Sequence, residues 1–161
     1  MTPVIGLSRL TTHSWEQGDF FGGSDIRLGE LLGLKALGVT YNEVLPGRSS
    51  CPFHNHHVED EFFVILHGQG EYRLGQQRHR VTAGDVLGAP AGGMETAHQL
   101  INTGDQPLQY LVISSRAAAD IIEYPDSGKF MARSGHPAEP RVRLLGRHDD
   151  APSYWEGEPG A

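Results

Sequence analysis

The stretch Pro52-Phe53-His54-Asn55-His56-His57-Val58-Glu59-Asp60-Glu61, followed by Phe62 to Leu66, His67 and Gly68, decides how this chain of 161 residues folds. His54 and His56 stand two positions apart, and side chains alternate faces along a β-strand, so both imidazoles leave the same side. His57 turns to the opposite face and reads as a surface residue or as one behind the ligands. Glu61 opens an aromatic and aliphatic run that itself reads as a strand. Two imidazoles and a carboxylate offered from neighbouring strands are three parts of a metal site. The fourth part is His98, in Thr96-Ala97-His98-Gln99-Leu100-Ile101-Asn102.

Outward from this stretch the chain keeps a period of two. Leu37, Val39, Tyr41 and Glu43 alternate with Gly38, Thr40, Asn42 and Val44, which predicts a strand. Pro46-Gly47 supplies a turn. Further strands are expected over Phe53 to His56, Glu61 to His67, Gly70 to Leu74, Arg78 to Thr82, Val86 to Ala89, His98 to Asn102 and Leu108 to Ser114. Gly75-Gln76-Gln77 reads as the turn of a hairpin. Short strands punctuated by Gly and Pro predict an all-β sandwich or barrel. The one expected helix is a turn or two around Ala117 to Ile122, a segment that also reads as extended.

Two blocks of this sequence resemble the paired motifs of the cupin superfamily. Gly47, His54, His56, Glu61 and Gly68 match the first, with one extra residue after Gly47. Gly84, Pro90, Gly92, His98 and Asn102 match the second, with three additional residues between Gly92 and His98. The resemblance implies a double-stranded β-helix, a jelly-roll barrel of two packed antiparallel sheets with a metal at one mouth. It implies His54, His56, Glu61 and His98 as the metal ligands. The flanking segments are similar to those of small single-domain bacterial cupins, some of which carry a sugar-phosphate isomerase label by analogy. Asn102 is expected to tie down a turn with its side-chain amide, and Gly47, Gly68, Gly84 and Gly92 to serve turns.

The length suits one domain with a substantial core. Three parts are expected: an arm over residues 1–33, a barrel over 34–115 carrying the metal, and an extension over 116–161 packed on the barrel. Net charge is −7, and the only lysines are Lys35 and Lys129. A phosphate-backbone binder needs a concentrated basic face, so nucleic acid is not an expected partner. No apolar run approaches a membrane span and no signal-peptide pattern opens the chain. The single cysteine, Cys51, excludes an intrachain disulfide and suits a reducing compartment, so the cytoplasm is expected.

Trp15, Phe20 and Phe21 in the lead, beside turn signals at Gly22-Gly23-Ser24-Asp25, describe an arm lying along the barrel or on a neighbouring subunit. A homodimer built by adding or exchanging a terminal strand follows from that reading. Past Ile122 a polar, Pro-rich tail is expected, and its closing Tyr154-Trp155 pair is expected to dock somewhere apolar.

Three imidazoles and one carboxylate make a mixed nitrogen and oxygen site suited to Mn, Fe, Co, Ni or Zn. Four protein ligands leave two positions on an octahedral metal for a small-molecule substrate. Glu61 is also a candidate for moving a proton. The resemblance links such a set to isomerases and to oxygen-using enzymes acting on small oxygenated metabolites. A non-catalytic ligand-binding barrel and a storage or structural barrel are the other readings. A phosphorylated sugar calls for a basic pocket, for which Arg48, Arg73, Arg78 and Arg80 are candidates. His67 and His79 have no spacing partner and read as ordinary polar residues; Cys51, three residues before His54, is near enough to be a thiolate ligand but reads as packing, because the carboxylate already completes the set.

Overall fold

The computed structural model describes residues 4–136 and 139–160. Residues 1–3 of the expected arm, and 137–138 and 161 of the expected extension, lie outside them.

Thirteen strands follow one another: β1 (His13–Gln17), β2 (Phe21–Arg27), β3 (Leu37–Val44), β4 (Asn55–His56), β5 (Glu61–His67), β6 (Gln69–Leu74), β7 (Gln77–Thr82), β8 (Val86–Ala89), β9 (His98–Ile101), β10 (Leu108–Ser115), β11 (Ala119–Tyr124), β12 (Lys129–His136) and β13 (Glu139–Arg147). One sheet has the order β1-β2-β3-β10-β5-β8. A second runs β7-β6-β9 and a third β13-β12-β11-β4. Two backbone hydrogen bonds stitch the second and third into one layer: His54 N to His98 O at 3.1 Å, and His98 N to His54 O at 2.7 Å. The result is the antiparallel double-stranded β-helix that the sequence predicts.

Side-chain parity explains why the site points inward. On β5, Phe63 and Ile65 are buried while Phe62 is exposed, so Glu61 shares the inward face at the strand's start. On β9, His98 and Leu100 share a buried face. With Val44, Tyr72, Val81, Leu108 and Tyr110 these apolar side chains form the core. Each such fully buried large side chain contributes about 1.5–3 kcal/mol. Gly68 joins β5 to β6 at φ 84°, and an added Cβ would meet Pro107 O at 2.6 Å, so this turn requires glycine.

Asn102 does what its position implies. Its amide donates to Val44 O at 2.8 Å and to Gln106 O at 2.9 Å, and its carbonyl accepts from Gly104 N at 2.9 Å.

Four expectations need correction. Gly22 to Asp25 is no turn but the body of β2; Gly23 pairs so closely with β3 that a Cβ there would stand 2.6 Å from Glu43 O. Of the two readings of Ala117 to Ile122 the extended one holds from Ala119, where strand β11 begins, and the helical one fails because pairing with β4 and β12 overrides the alanines' helix propensity. The expected tail folds as β12 and β13. Tyr154 and Trp155 dock on nothing within the described residues: they are 84% and 66% exposed and pack edge-to-face on each other at 4.7 Å.

Candidate metal centre

The donors come from three places. His54 and β4 present the two imidazoles of the His-x-His pair, β5 presents Glu61, and β9 presents His98. Glu61 Oε2 is their common vertex. It lies 2.8 Å from His98 Nε2, 3.8 Å from His54 Nε2 and 3.8 Å from His56 Nε2. Donor atoms of His54, Glu61 and His98 all fall within 4.8 Å of one another. These three form one candidate ligand group, and the fourth expected ligand, His56, reaches the same Glu61 oxygen at 3.8 Å but falls outside that group.

The outer nitrogens are what make the cluster fit a cation. His54 Nδ1 is 2.9 Å from Pro52 O, His98 Nδ1 is 3.2 Å from Thr96 O, and His56 Nδ1 is 2.6 Å from Asp120 Oδ2. Each acceptor lacks a hydrogen, so each Nδ1 carries the proton and donates it. The three Nε2 atoms then face one carboxylate: those of His54 and His56 stand 3.8 Å from Glu61 Oε2, and that of His98 stands 2.8 Å from it, where a shared proton, or a cation in its place, joins the two. Either extra protons or a bound cation must satisfy them, and anchored Nδ1 atoms are the usual arrangement around metal-ligating histidines.

Electrostatics separates the groups. Burial and the neighbouring His98 press His54 down to about 4, so its ring is neutral at pH 7. Burial pushes Glu61 up, but the His98 hydrogen bond and the charges of His56, His54 and His98 outweigh it and hold the carboxylate at about 2. Burial also presses His56 down, yet the Asp120 hydrogen bond and the charges of Glu61, Asp120 and Glu59 leave it raised.

Behind His56 lies a second charged group that sequence reasoning missed. Glu59, Asp120 and His56 converge, and the Arg133 guanidinium bonds to Glu59 and stands 3.7 Å from Asp120. Glu59 and Asp120 are buried. Asp120 and Arg133 sit on β11 and β12, in the region read as helix and tail, so no local signal announced them. Glu59 shares strand parity with Glu61, which was the one available hint.

The remaining candidates fall where their spacing put them. His57 points away, its Nε2 2.9 Å from Glu123 Oε2. His67 and His79 bond to Pro107 O and Gln77 Oε1 at the surface. Cys51 stands outside both donor clusters, and burial with the charge of Glu61 pushes its thiol up to about 12. A cavity of about 220 Å³ opens beside His54, Glu61 and His98, walled by Phe63, Leu100 and Tyr110 among others.

Residues 41–114 match the family model of the cupin domain (Cupin_2). The chain is similar to Auxin-binding protein 1 of Arabidopsis thaliana, with 36% identity over 103 residues, 60% of this chain and 50% of that protein. It spans about half the length of the curated relatives it matches. Among solved structures it is similar to a protein of Acidithiobacillus ferrooxidans described as a candidate sugar phosphate isomerase, with TM-score 0.78 and 25% identity, covering 91% of this chain and 90% of that one. It is likewise similar to a Silicibacter pomeroyi protein described as a sugar phosphate isomerase from a cupin superfamily, with TM-score 0.73, 28% identity and coverage of 81% and 79%. No described helix is long and apolar enough to cross a membrane. Strand topology, ligand motifs and family model agree: residues 41–114 are a cupin domain.

Proposed function

We propose that this chain is a metal-dependent enzyme that isomerises a small oxygenated metabolite, with His54, His56, Glu61 and His98 holding the metal. The observation that carries the reading is the convergence of three Nε2 atoms on Glu61 Oε2, each ring fixed through its Nδ1. The donor set suits Mn, Fe, Co, Ni or Zn. A divalent metal held there supplies Lewis acidity toward a substrate oxygen.

The protein's own part is orientation and proton handling. Pro52, Thr96 and Asp120 fix the three imidazoles through their Nδ1 atoms. The apolar side chains of Phe63 and Leu100 wall the cavity beside the donor cluster. Glu61 is ionised at neutral pH and lies at the cavity wall, so it is the base available to take a proton from a carbon beside a carbonyl and return it to the neighbouring carbon. Isomerisation asks for that transfer and no oxidant. The two solved neighbours described as sugar phosphate isomerases support this class.

Oxygenation of the same substrates is the competing enzymatic route. A non-catalytic binder is the second reading, favoured by the likeness to a protein named for binding auxin. A metabolite panel with Mn-, Fe- and Ni-loaded protein, under air and under argon, separates the three. Isomerisation gives solvent-deuterium incorporation without oxygen uptake. Oxygen consumption supports the oxygenase, and tight binding without turnover supports the binder. We propose the cytoplasm as location and a homodimer as assembly, on the single cysteine and the exposed sheet edges.

A further inference from the structure

The cavity beside the donor cluster also restricts what can occupy it. Its volume is about 220 Å³. That lies below the ~300–1,000 Å³ range of pockets for drug-sized ligands. Apart from His54, Glu61 and His98, its polar lining is uncharged: Thr40, Asn42, Ser50, Cys51 and Tyr110. Ser50 Oγ and Tyr110 Oη share a hydrogen bond of 2.6 Å. That bond uses one of the two hydroxyl hydrogens, Ser50 also bonds the Cys51 thiol, and lone pairs on the two hydroxyls are left to meet a guest. Burial pushes the Tyr110 hydroxyl up, so it is a neutral donor at working pH.

Among the described residues no lysine or arginine lines this space. The four arginines that the sequence offers for a phosphate are engaged elsewhere. Arg48 pairs with Glu16 at 3.4 Å, and Arg78 with Glu71. Arg80 bonds Gln69 at 3.0 Å. Arg73 makes two bonds to Asp126, at 2.6 and 2.9 Å, and lies 3.4 Å over the Phe53 ring. A phosphate monoester carries about −1.5 to −2 charge at pH 7. In this cavity it would meet the Glu61 carboxylate and no fixed protein cation, and an unpaired buried charge is strongly disfavoured. A cation held by His54, Glu61 and His98 would offset charge at that end of the cavity, beside the donor cluster, and not at the Ser50–Tyr110 end.

We infer that this cavity takes an uncharged hydroxycarbonyl compound or diol, not a phosphate ester, with the Ser50–Tyr110 hydroxyl pair meeting the guest's distal oxygen. The inference rests on the proposed metal centre. Its test uses full-length protein loaded with Co²⁺, whose visible absorption reports the cluster without turnover. Dihydroxyacetone and dihydroxyacetone phosphate are titrated separately into the wild type, Tyr110→Phe and Ser50→Ala.

Dihydroxyacetone is expected to perturb the cobalt bands with affinity about tenfold or more above that of its phosphate. Tyr110→Phe and Ser50→Ala should each weaken it by about three- to tenfold while leaving the guest-free cobalt spectrum intact. Equal or tighter binding of the phosphate, or no response to either compound, overturns the inference while the metal centre stands. Unchanged affinity in both variants overturns the role of the hydroxyl pair. Absence of any cobalt spectrum in the wild type removes the metal centre and this inference with it.

Discussion

His56 Nδ1 lies 2.6 Å from Asp120 Oδ2, across 64 positions of sequence. Asp120 belongs to β11, beyond the stretch matched by the family model, so the region after the barrel motifs reaches back to set the tautomer and aim of the His56 ring. Partners of this kind typically change metal affinity about 10–100-fold when altered. Asp120→Asn is therefore expected to weaken metal binding by about that factor, read by competition against a chelator. An unchanged affinity would show that His56 holds its orientation without Asp120.

Arg133 gives the second prediction. Its guanidinium neutralises Glu59 and Asp120, both buried behind His56. Arg133→Met takes the cation from Glu59 and leaves Asp120 to His56 and the Val58 N–H, and removing one member of a buried pair costs about 3–5 kcal/mol. Denaturant unfolding should show a loss of that order. A loss under about 1 kcal/mol, the scale of surface pairs, would mean the cluster is solvated in solution.

The sequence carried the barrel well because its strands are half-buried and alternate. β3, β5 and β8 run over the residues that period two assigns, and three expected ligands form one group with the fourth, His56, 3.8 Å from Glu61. What escaped was whatever the third dimension decides. Ala117 to Ile122 looks helical until β4 and β12 offer it partners. Gly22 and Gly23 look like a turn until β3 approaches too closely for a side chain. Asp120 and Arg133 gain their roles only from that pairing. Tyr154 and Trp155 show the converse, since burial was expected and the described fold gives them no apolar surface.

Cys51 supplies a third prediction. Burial and the Glu61 charge push its thiol up to about 12. Only the thiolate reacts, so at pH 8 about one molecule in ten thousand carries the reactive form. Iodoacetamide should leave the folded protein unlabelled at pH 8 and label it promptly once denatured. Fast labelling of the native state would contradict the burial.

Assembly is the fourth. Val142 and Leu144 share one face of β13, the edge strand of its sheet, and are 52% and 57% exposed. A second copy of the chain is expected to cover apolar side chains left open this way. Light scattering should give twice the chain's 17.6 kDa, and Leu144→Glu should shift the mass toward one copy. A wild-type monomer would contradict the assignment.

Metal content across ligand variants tests the central claim most directly. Elemental analysis of purified wild type and His57→Ala should find about one divalent transition metal per chain, because His57 points to Glu123 and away from the cluster. His54→Ala, His56→Ala and His98→Ala should each lose most of it, and Glu61→Gln should hold it more weakly. Equal metal content in His57→Ala and His98→Ala, whether full or lost in both, would contradict the placement of His54, His56, Glu61 and His98 around one ion.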